Sequence, residues 1–513
     1  MSNLQLAPLS NLPVLPVVVS LLFAVLLILG HGRLRYQRAV GAAGVLAALV
    51  ADLILFTTVL REGPLVYRAG DWPAPYGILF VADRLNVLLV LVAGVVGAIT
   101  FWFAVRSLDE ARQRAFFYPL FHVQLAGVYG AFLTGDLFHL FVFYEVTLLA
   151  SFVLLTLGGE RFQLQEGLKY VIINTLSSAF FLVGVAILYR TLGTVNMADL
   201  AVKVASAPDQ GWLLVIAVVF VVVFGLKAAI FPLYFWLPYS YPTAPTAIAG
   251  LFAALLSKVG IYSLFRVFTL IFVGQVSVTH HGLFLFLASF TMVLGVLGPV
   301  AQMDFKRILA FHIVSQIGYM LMGLGFYTPV ALAGGIYHIV HNMVIKTGLF
   351  LTAGATEEVT GTSHLERMSG LLRSHPVLAA VFFMSGLSLA GMPPFSGFFS
   401  KLALMVGGLQ AGGYLVVAIS VAVSFLTLFS MIKIWRYVYW GPDRGERRLD
   451  ARATSPLVWP AAALLLISVG MGLGASFVFD YSYATALELM DPARYVAAVL
   501  GPQAAAVLAH AGL

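Results

Sequence analysis

Long apolar runs alternate with short polar segments along almost the whole chain. Because about 20 apolar residues are needed to cross the hydrocarbon core of a bilayer, each run predicts a transmembrane helix. The runs predict fourteen spans, at residues 12–30, 39–60, 83–105, 116–134, 137–157, 168–192, 212–232, 246–270, 282–301, 308–327, 330–353, 376–409, 413–436 and 456–478. The predicted fold class is therefore an all-α polytopic membrane protein.

Two predicted spans are interrupted by helix-breaking residues. The eighth opens with prolines in residues 242–246, and the twelfth contains Gly-Met-Pro-Pro-Phe-Ser-Gly at residues 391–397. Broken helices at matching places in two halves indicate an internal repeat in ion transporters. The pattern predicts two five-helix blocks, spans 4–8 and 9–13, the second inverted because five is odd. The alternative is that these prolines only bend helices around their neighbours.

The spans divide the chain into four predicted parts. Residues 1–115 hold the first three helices, 116–270 the first block, and 282–436 the second block. Residues 437–513 hold a polar loop at 444–452, interpreted as cytoplasmic, then helix 14 and a C-terminal tail. The tail after Phe479 is interpreted as an amphipathic surface helix, and no role is assigned to it.

Composition and charge agree with a membrane protein. Hydrophobic residues make up 61% of the chain and charged residues 10%, against about 25% charged in a soluble domain. The net charge of +7 arises in loops between spans, so membrane orientation explains it better than nucleic-acid binding. Loops after odd-numbered spans carry 17 Lys and Arg residues and the other side carries 6. The positive-inside rule then predicts that both termini face outside. The first apolar run is interpreted as a retained span and not as a signal peptide.

Four lysines and one glutamate stand out within these apolar runs. They are Lys227, Lys258, Lys346, Lys401 and Glu145. A charged side chain at membrane depth costs about 2.5–3.5 kcal/mol on insertion scales, so it is seldom kept for packing alone. Glu145 needs a cationic partner, and Lys227 is the candidate. A pair that opens and closes acts as a proton switch, whereas a permanently closed pair is only a structural bridge. Snorkelling of the lysines towards a helix end is a further alternative.

The eleventh span carries a polar face. His338, Asn342 and Lys346 follow at i, i+4 and i+8, with His341 to one side. Because these groups extend over about 12 Å at 1.5 Å per residue, a few waters could join them into a proton path. The His-x-x-His pair could instead bind a metal ion, but no carboxylate is near it in sequence. We expect no metal site.

The sequence contains no motif for a bound energy source. It has no cysteine, no glycine-rich phosphate loop and no nucleophile elbow. Thiolate metal sites and iron–sulfur clusters are therefore excluded. We expect no cofactor and no enzymatic activity, with an ion gradient or a partner subunit as the driving force.

Four strings carry a resemblance to a known family. They are GDWPAPYG at 70–77, LTGDLF at 133–138, FHIVSQIGY at 311–319 and GMPP at 391–394. They resemble the antiporter-like subunits shared by respiratory complex I, membrane-bound hydrogenases and Mrp-type Na⁺/H⁺ antiporters, most closely the D-type subunits of the Mrp group. The chain has no room for the C-terminal lateral helix of the largest members.

The resemblance implies roles for the buried ionisable residues. Glu145 and Lys227 correspond to the proton-switch pair, and Lys258, His338, His341, Lys346 and Lys401 to the rest of the relay. It also implies a prokaryotic cytoplasmic membrane, other membrane subunits as partners and no nucleic acid. Protons and Na⁺ are the expected ions, with the passage of Na⁺ through this chain or through a neighbouring subunit left open.

Three other functions stay open. The nearest is a proton-pumping subunit of a quinone- or hydrogen-linked complex, since the same half-channels would serve both. A structural scaffold and a stand-alone solute carrier are the more distant alternatives.

Overall fold

The computed structural model describes residues 9–207, 210–442 and 449–510. Part of the predicted loop at 444–452 lies outside the described residues. We number the helices at the predicted spans α1 to α14. Their bounds are α1 Leu15–Leu29, α2 Leu34–Glu62, α3 Arg84–Ser107, α4 Tyr118–Leu133, α5 Leu137–Leu155, α6 Arg161–Leu192, α7 Gln210–Ala228, α8 Thr246–Leu270, α9 Leu285–Ala301, α10 Phe305–Phe326, α11 Pro329–Thr360, α12a Pro376–Ala390, α12b Ser396–Gln410, α13 Tyr414–Ile434 and α14 Ala451–Leu473.

Short elements connect and follow these helices. Strands β1 (Leu65–Arg68) and β2 (Leu79–Ala82) form an antiparallel hairpin between α2 and α3. The connections and the C-terminal tail contain further short helical segments. These are Leu9–Val14, Ala69–Asp71, Glu110–Arg112, Gln113–Phe117, Met197–Ala205, Leu237–Ser240, Tyr241–Thr243, Ser277–Phe284, Leu365–Arg367, Leu371–Ser374, Trp435–Tyr439, Ala475–Leu489, Pro492–Leu500 and Pro502–His510.

The all-helical membrane fold class is confirmed. In the described part of the chain, twelve helices are long and apolar enough to cross a membrane. The polar-faced α11 and the interrupted α12 are not among the twelve. The count of fourteen spans therefore stays a prediction.

The position of one helix break was predicted wrongly. α8 runs unbroken from Thr246, and the interruption lies between α7 and α8. Pro238 and Pro242 occupy the first turns of the short helices there, and Pro245 directly precedes α8. Proline suits a first turn because its missing N–H would be unpaired there anyway. The break thus follows Lys227 near the end of α7, whereas the break in the twelfth span lies where it was predicted.

Three helices form the interior of the molecule. Buried residues run along almost the whole length of α8 and α10 and along most of α11. α11 packs against α3, α8, α10, both halves of α12 and α14. A helix enclosed on all sides is normally apolar all round. Polar side chains on these three helices are therefore held within the protein and away from lipid.

The connections around α5–α6 recur around α10–α11. Asp136 pairs with Asn196 and Asp304 with His364 in isolated antiparallel bridges, and each second pair lies 168 residues after the first. The Leu137 N–H donates to Val195 O, and the Phe305 N–H donates to Ser363 O, both at 2.9 Å.

The helices themselves follow the same spacing. α6 and α11 each contain 32 residues, begin 168 positions apart, and end at glycines with left-handed φ of 70° and 72°. Asp136 and Asp304 cap α5 and α10 in the same way, accepting from the N–H three residues on. A position in α5–α6 can therefore be matched to one in α10–α11 by this constant spacing.

Candidate functional site

His338 lies at the centre of a polar cluster between α10, α11 and α12b. Its Nδ1 is 3.0 Å from Ser400 Oγ and its Nε2 is 3.2 Å from Gln316 Oε1. All three side chains are fully buried. The ring Nε2–H donates to the amide oxygen, while the Ser400 hydroxyl beside Nδ1 has the Gly397 carbonyl as a second partner at 3.2 Å. Both ring nitrogens are thus engaged with polar groups on neighbouring helices.

His341 begins a chain of hydroxyl groups. Its Nδ1 is 2.8 Å from Ser396 Oγ, which is 2.8 Å from Ser468 Oγ. Ser468 Oγ is also 2.8 Å from Ser388 Oγ. Because a hydroxyl both donates and accepts, this chain can pass hydrogen bonds from α11 to α14 and α12a. It ends at the break in the twelfth span.

Lys401 contacts the carbonyl groups that this break exposes. Its Nζ donates to Leu389 O and Ala390 O, each at 3.1 Å, and to Ser424 Oγ at 3.3 Å. The ammonium also lies 4.6 Å from the centre of the Tyr319 ring. The last carbonyls of a helix have no partner within it, so a cation is stabilised there. The break and Lys401 are therefore in direct contact.

Lys258 and Lys346 are fully buried in the protein interior. Lys346 Nζ donates to Leu309 O on α10 at 3.3 Å, and Lys258 Nζ donates to Ala253 O on its own helix at 2.6 Å. α8 and α11 touch where Thr347 Oγ1 donates to the Gly250 carbonyl at 3.2 Å. Both lysines therefore lie inside the bundle, although no direct hydrogen bond among the described residues joins them to each other.

Lys227 hydrogen-bonds to α6 and not to Glu145. Its Nζ donates to Asn174 O at 3.2 Å and to Ser178 Oγ at 3.0 Å, and it lies 5.2 Å from the centre of the Tyr144 ring. Glu145 is half-buried, and its buried Oε1 has no hydrogen-bond partner among the residues described. The predicted pair therefore makes no direct contact in this structure.

Several polar residues of the cluster were not predicted from the sequence. They are Gln316, Tyr319, Ser388, Ser396, Ser400, Ser424 and Ser468. A signal existed for some of them, because Ser396 and Ser400 lie at i and i+4 on α12b, one helical turn apart. Small hydroxyl residues are common in membrane helices, so their spacing alone carries little information.

Asp52 is a second buried carboxylate that was not predicted from the sequence. It lies within the apolar α2, is fully buried, and accepts from Tyr129 Oη at 2.9 Å. Gly94 makes room for it, since a Cβ there would come within 2.1 Å of Asp52 Oδ2. The same cost argument that singled out Glu145 would have found this residue.

Two polar regions lie at opposite ends of α8. At its amino end, a cavity of about 300 Å³ is lined by Lys306 and Glu357, which form an ion pair at 2.9 Å. Near its carboxyl end, the buried Arg266 pairs with Asp83 at 2.5 Å.

The C-terminal tail covers the second of these regions. The Tyr495 ring lies 5.0 Å from the Arg266 guanidinium, and Glu488 pairs with Arg84 at 2.7 Å. Burial raises the pKa of the Glu488 carboxyl above its usual range, an effect that Arg84 opposes. The tail is therefore packed onto the bundle through the buried Arg266 and the partly exposed Arg84–Glu488 pair.

The described residues contain no group of three or more His, Asp or Glu side chains placed to hold a metal ion. In the one His-x-x-His pair, the ring centres of His338 and His341 are 5.5 Å apart. Their Nδ1 atoms each contact a serine hydroxyl.

Comparison with known proteins gives consistent matches. Residues 134–427 match the family described as NADH:quinone oxidoreductase/Mrp antiporter, TM. The chain is 47% identical to the D-type subunit of the Na⁺/H⁺ antiporter of Alkalihalophilus pseudofirmus, over 96% of this chain and 99% of that protein.

Two solved structures share the fold. A chain of the Mrp complex from Dietzia sp. DQ12-45-1b has a TM-score of 0.89 at 33% identity, covering 96% of this chain and 99% of that one. A chain of the membrane-bound sulfane sulfur reductase, an archaeal respiratory membrane complex, has a TM-score of 0.86 at 25% identity, covering 95% and 99%.

The fold and the buried ionisable residues define a multi-pass membrane protein of the ion-translocating type. The chain belongs to the NADH:quinone oxidoreductase/Mrp antiporter family. The family resemblance stated from the sequence is confirmed.

Proposed function

We propose that this chain is a proton-translocating subunit of a multisubunit Na⁺/H⁺ antiporter in a bacterial cytoplasmic membrane. The observation that carries this proposal is the set of ionisable side chains buried in the enclosed helices α8, α10 and α11 and at the two helix breaks. Such groups are costly at membrane depth and typically mark proton relays. The relatives named as D-type subunits of Na⁺/H⁺ antiporters support the choice of exchanged ions.

Glu145 and Lys227 form the switch in this proposal. The open arrangement, with Lys227 on α6, is one of its two states, and a contact between the ammonium and Glu145 is the other. Opening and closing the pair changes how tightly each group holds its proton. Lys258, His338, His341, Lys346 and Lys401 then carry protons through the interior along a hydrated path.

Partner subunits cover part of this chain. Glu145 is only partly buried on α5, whose neighbouring Leu149 is 66% exposed. A carboxylate facing lipid would be costly, so this face of α5 fits an interface with another membrane subunit. As a secondary transporter subunit, the chain has no catalytic activity of its own.

The proposed topology has fourteen spans, two inverted five-helix blocks and both termini outside. The constant spacing between α5–α6 and α10–α11 supports the repeat, and the loop charges support the orientation. Cysteines at positions 278 and 446 of this cysteine-free chain test it. An impermeant thiol reagent added to intact cells should label 278 only, and labelling of 446 alone would reverse the orientation.

A proton-pumping subunit of a redox-driven complex is the second candidate. The likeness to the membrane-bound sulfane sulfur reductase supports it. The higher identity to antiporter subunits, 47% against 25%, favours exchange.

Substitution of Glu145 tests the mechanism. Glu145→Gln keeps the shape and removes the titration, so Na⁺-driven proton movement in vesicles holding the whole complex should fall roughly a hundredfold, as for loss of a proton-transfer group. Lys227→Ala should have the same effect, with activity normalised to assembled complex.

The matched control is Glu110→Gln, at an exposed glutamate paired only with Arg114 among the described residues. It should keep wild-type exchange. Near-normal exchange by Glu145→Gln would overturn the proposed mechanism, and poor assembly with normal activity per complex would make the pair a structural bridge.

A further inference from the structure

α10 and α11 are antiparallel neighbours whose register is fixed at two points. Lys346 Nζ donates to Leu309 O, and His338 Nε2 meets Gln316 Oε1. Leu309, His312 and Gln316 follow one face of α10 at helical spacing, as His338, Asn342 and Lys346 do on α11. His312 and Asn342 therefore lie at the same level, between the two contacts.

Both of these side chains have unused hydrogen-bonding capacity. They are fully buried, and both ring nitrogens of His312 and both amide atoms of Asn342 have no hydrogen-bond partner in the described chain. An unsatisfied buried polar group costs about 1–3 kcal/mol, so such groups are normally paired with protein or ordered water. Four of them at one level make a site suited to water molecules, which need two to four polar partners.

The recurrence between the two halves adds an independent observation. By the 168-residue spacing, His312 matches Tyr144, Asn342 matches Asn174 and Lys346 matches Ser178. In the first half these positions surround the Lys227 ammonium, through the Tyr144 ring, the Asn174 carbonyl and the Ser178 hydroxyl. His312 therefore occupies the position that matches Tyr144, whose ring lies beside the buried Lys227 ammonium.

The second half has no carboxylate where the first half has Glu145. The matching residue is Ile313, which is fully buried and cannot titrate. Histidine can take a proton on one ring nitrogen and release one from the other, near neutral pH in its unperturbed form. The neighbouring His312 can supply this chemistry.

We propose that His312 carries protons between Lys346 and His338, through water held beside Asn342. This inference rests on the proposed function. The relay then runs from Lys346 through His312 to the Gln316–His338 contact, and on to Ser400 next to Lys401. From Lys346 to His312, and from His312 to His338, one proton moves between nitrogen atoms by way of water. Gln316 only orients the His338 ring and carries no proton, and from His338 onward the Ser400 hydroxyl takes up one proton as it gives up its own. No bond other than N–H and O–H forms or breaks.

Exchange by the whole complex in vesicles tests this role. His312→Gln keeps hydrogen-bonding groups but cannot carry a proton, so exchange per assembled complex should fall roughly tenfold or more. His122→Gln is the matched control, because His122 is also fully buried and its Nε2 contacts only the Gly41 carbonyl among the described residues, at 3.2 Å. It should retain most of the exchange.

Parallel variants separate this inference from the proposed function. If His312→Gln retains most of the exchange while Lys346→Ala and Glu145→Gln abolish it, the role of His312 is overturned and the proposed function stands. If all three retain exchange, both are overturned.

A second measurement does not depend on the variants assembling. A structure of the wild-type complex at a resolution that shows water should place at least one water within hydrogen-bond distance of a His312 nitrogen and of Asn342. A dry His312 that contacts only apolar side chains would overturn the inference.

Discussion

The segment α5–α6 and the segment α10–α11 share a frame but differ in their chemistry. Both begin at a capping aspartate, and both close with the same backbone pairing 168 residues apart. Within that frame the first segment carries Tyr144 and Glu145, where the second carries His312 and Ile313. The same backbone thus supports one site with a carboxylate and one without.

The two segments also differ in exposure. Glu145 is half-buried on α5, whereas α10 is enclosed along almost its whole length. A site at the edge of the chain can respond to a neighbouring subunit, while an enclosed site can exchange protons only through groups inside the chain. The first-half site is therefore open to a neighbouring subunit, and the second-half site is enclosed by this chain.

The lysines stand on different sides of their helix breaks. Lys227 precedes its break and hydrogen-bonds to the neighbouring α6, while Lys401 follows its break and bonds to the carbonyls of α12a. Lys401 is therefore tied to the break itself, and Lys227 is held by the neighbouring helix α6.

The largest expected effect comes from placing a first-half residue at its matching position in the second half. Lys346→Ser introduces the residue found at the matching position 178 and removes a buried cation. Exchange per assembled complex should fall roughly a hundredfold, as for a lost proton-transfer group. Ser178→Ala should have a small effect because Lys227 keeps its contact with Asn174 O. Substantial exchange by Lys346→Ser would mean that the matched positions do not differ in function.

An intermediate effect is expected at the two breaks. Gly391 has φ of 94°, and a Cβ there would lie 2.9 Å from Lys401 Cδ. Gly391→Ala should therefore cost about 1–2 kcal/mol from the left-handed backbone alone and lower the thermal unfolding temperature of the complex.

The first break offers the reverse change. Ala229 already has φ of 61°, so Ala229→Gly relieves about 1 kcal/mol of strain, offset by greater freedom of the unfolded chain. The thermal unfolding temperature of the complex with Ala229→Gly should stay close to that of the wild-type complex. If Gly391→Ala and Ala229→Gly lower the unfolding temperature equally, the backbone at the two breaks does not differ in the way proposed here.

The smallest effect concerns the shared caps. Asp136→Ala and Asp304→Ala should each cost about 1 kcal/mol, and Asn at either position should restore most of it. Asp304 also accepts from the Ser363 hydroxyl, so its loss should be the greater of the two. Chemical denaturation of the complex measures both, and a cost at only one position would weaken the equivalence of the two segments.

The sequence by itself determined the membrane class and the family, and it singled out Glu145 and the lysines within apolar runs, although it missed Asp52. These follow from one-dimensional quantities, namely the length of an apolar run and the cost of a charge within it. α8 occupies the predicted residues 246–270, and the break in the twelfth span lies where glycine and proline placed it.

Only the tertiary structure decided the partners of these residues. The sequence could not show that Lys227 hydrogen-bonds to Asn174 and Ser178, that His338 contacts Gln316, or that the first break lies between α7 and α8. The repeated frame is also hidden, because matched positions such as Ser178 and Lys346 differ in residue type. The physical reason is that a side chain's partner depends on the rotation and register of a helix against its neighbours, and an apolar sequence compatible with many rotations does not fix either one.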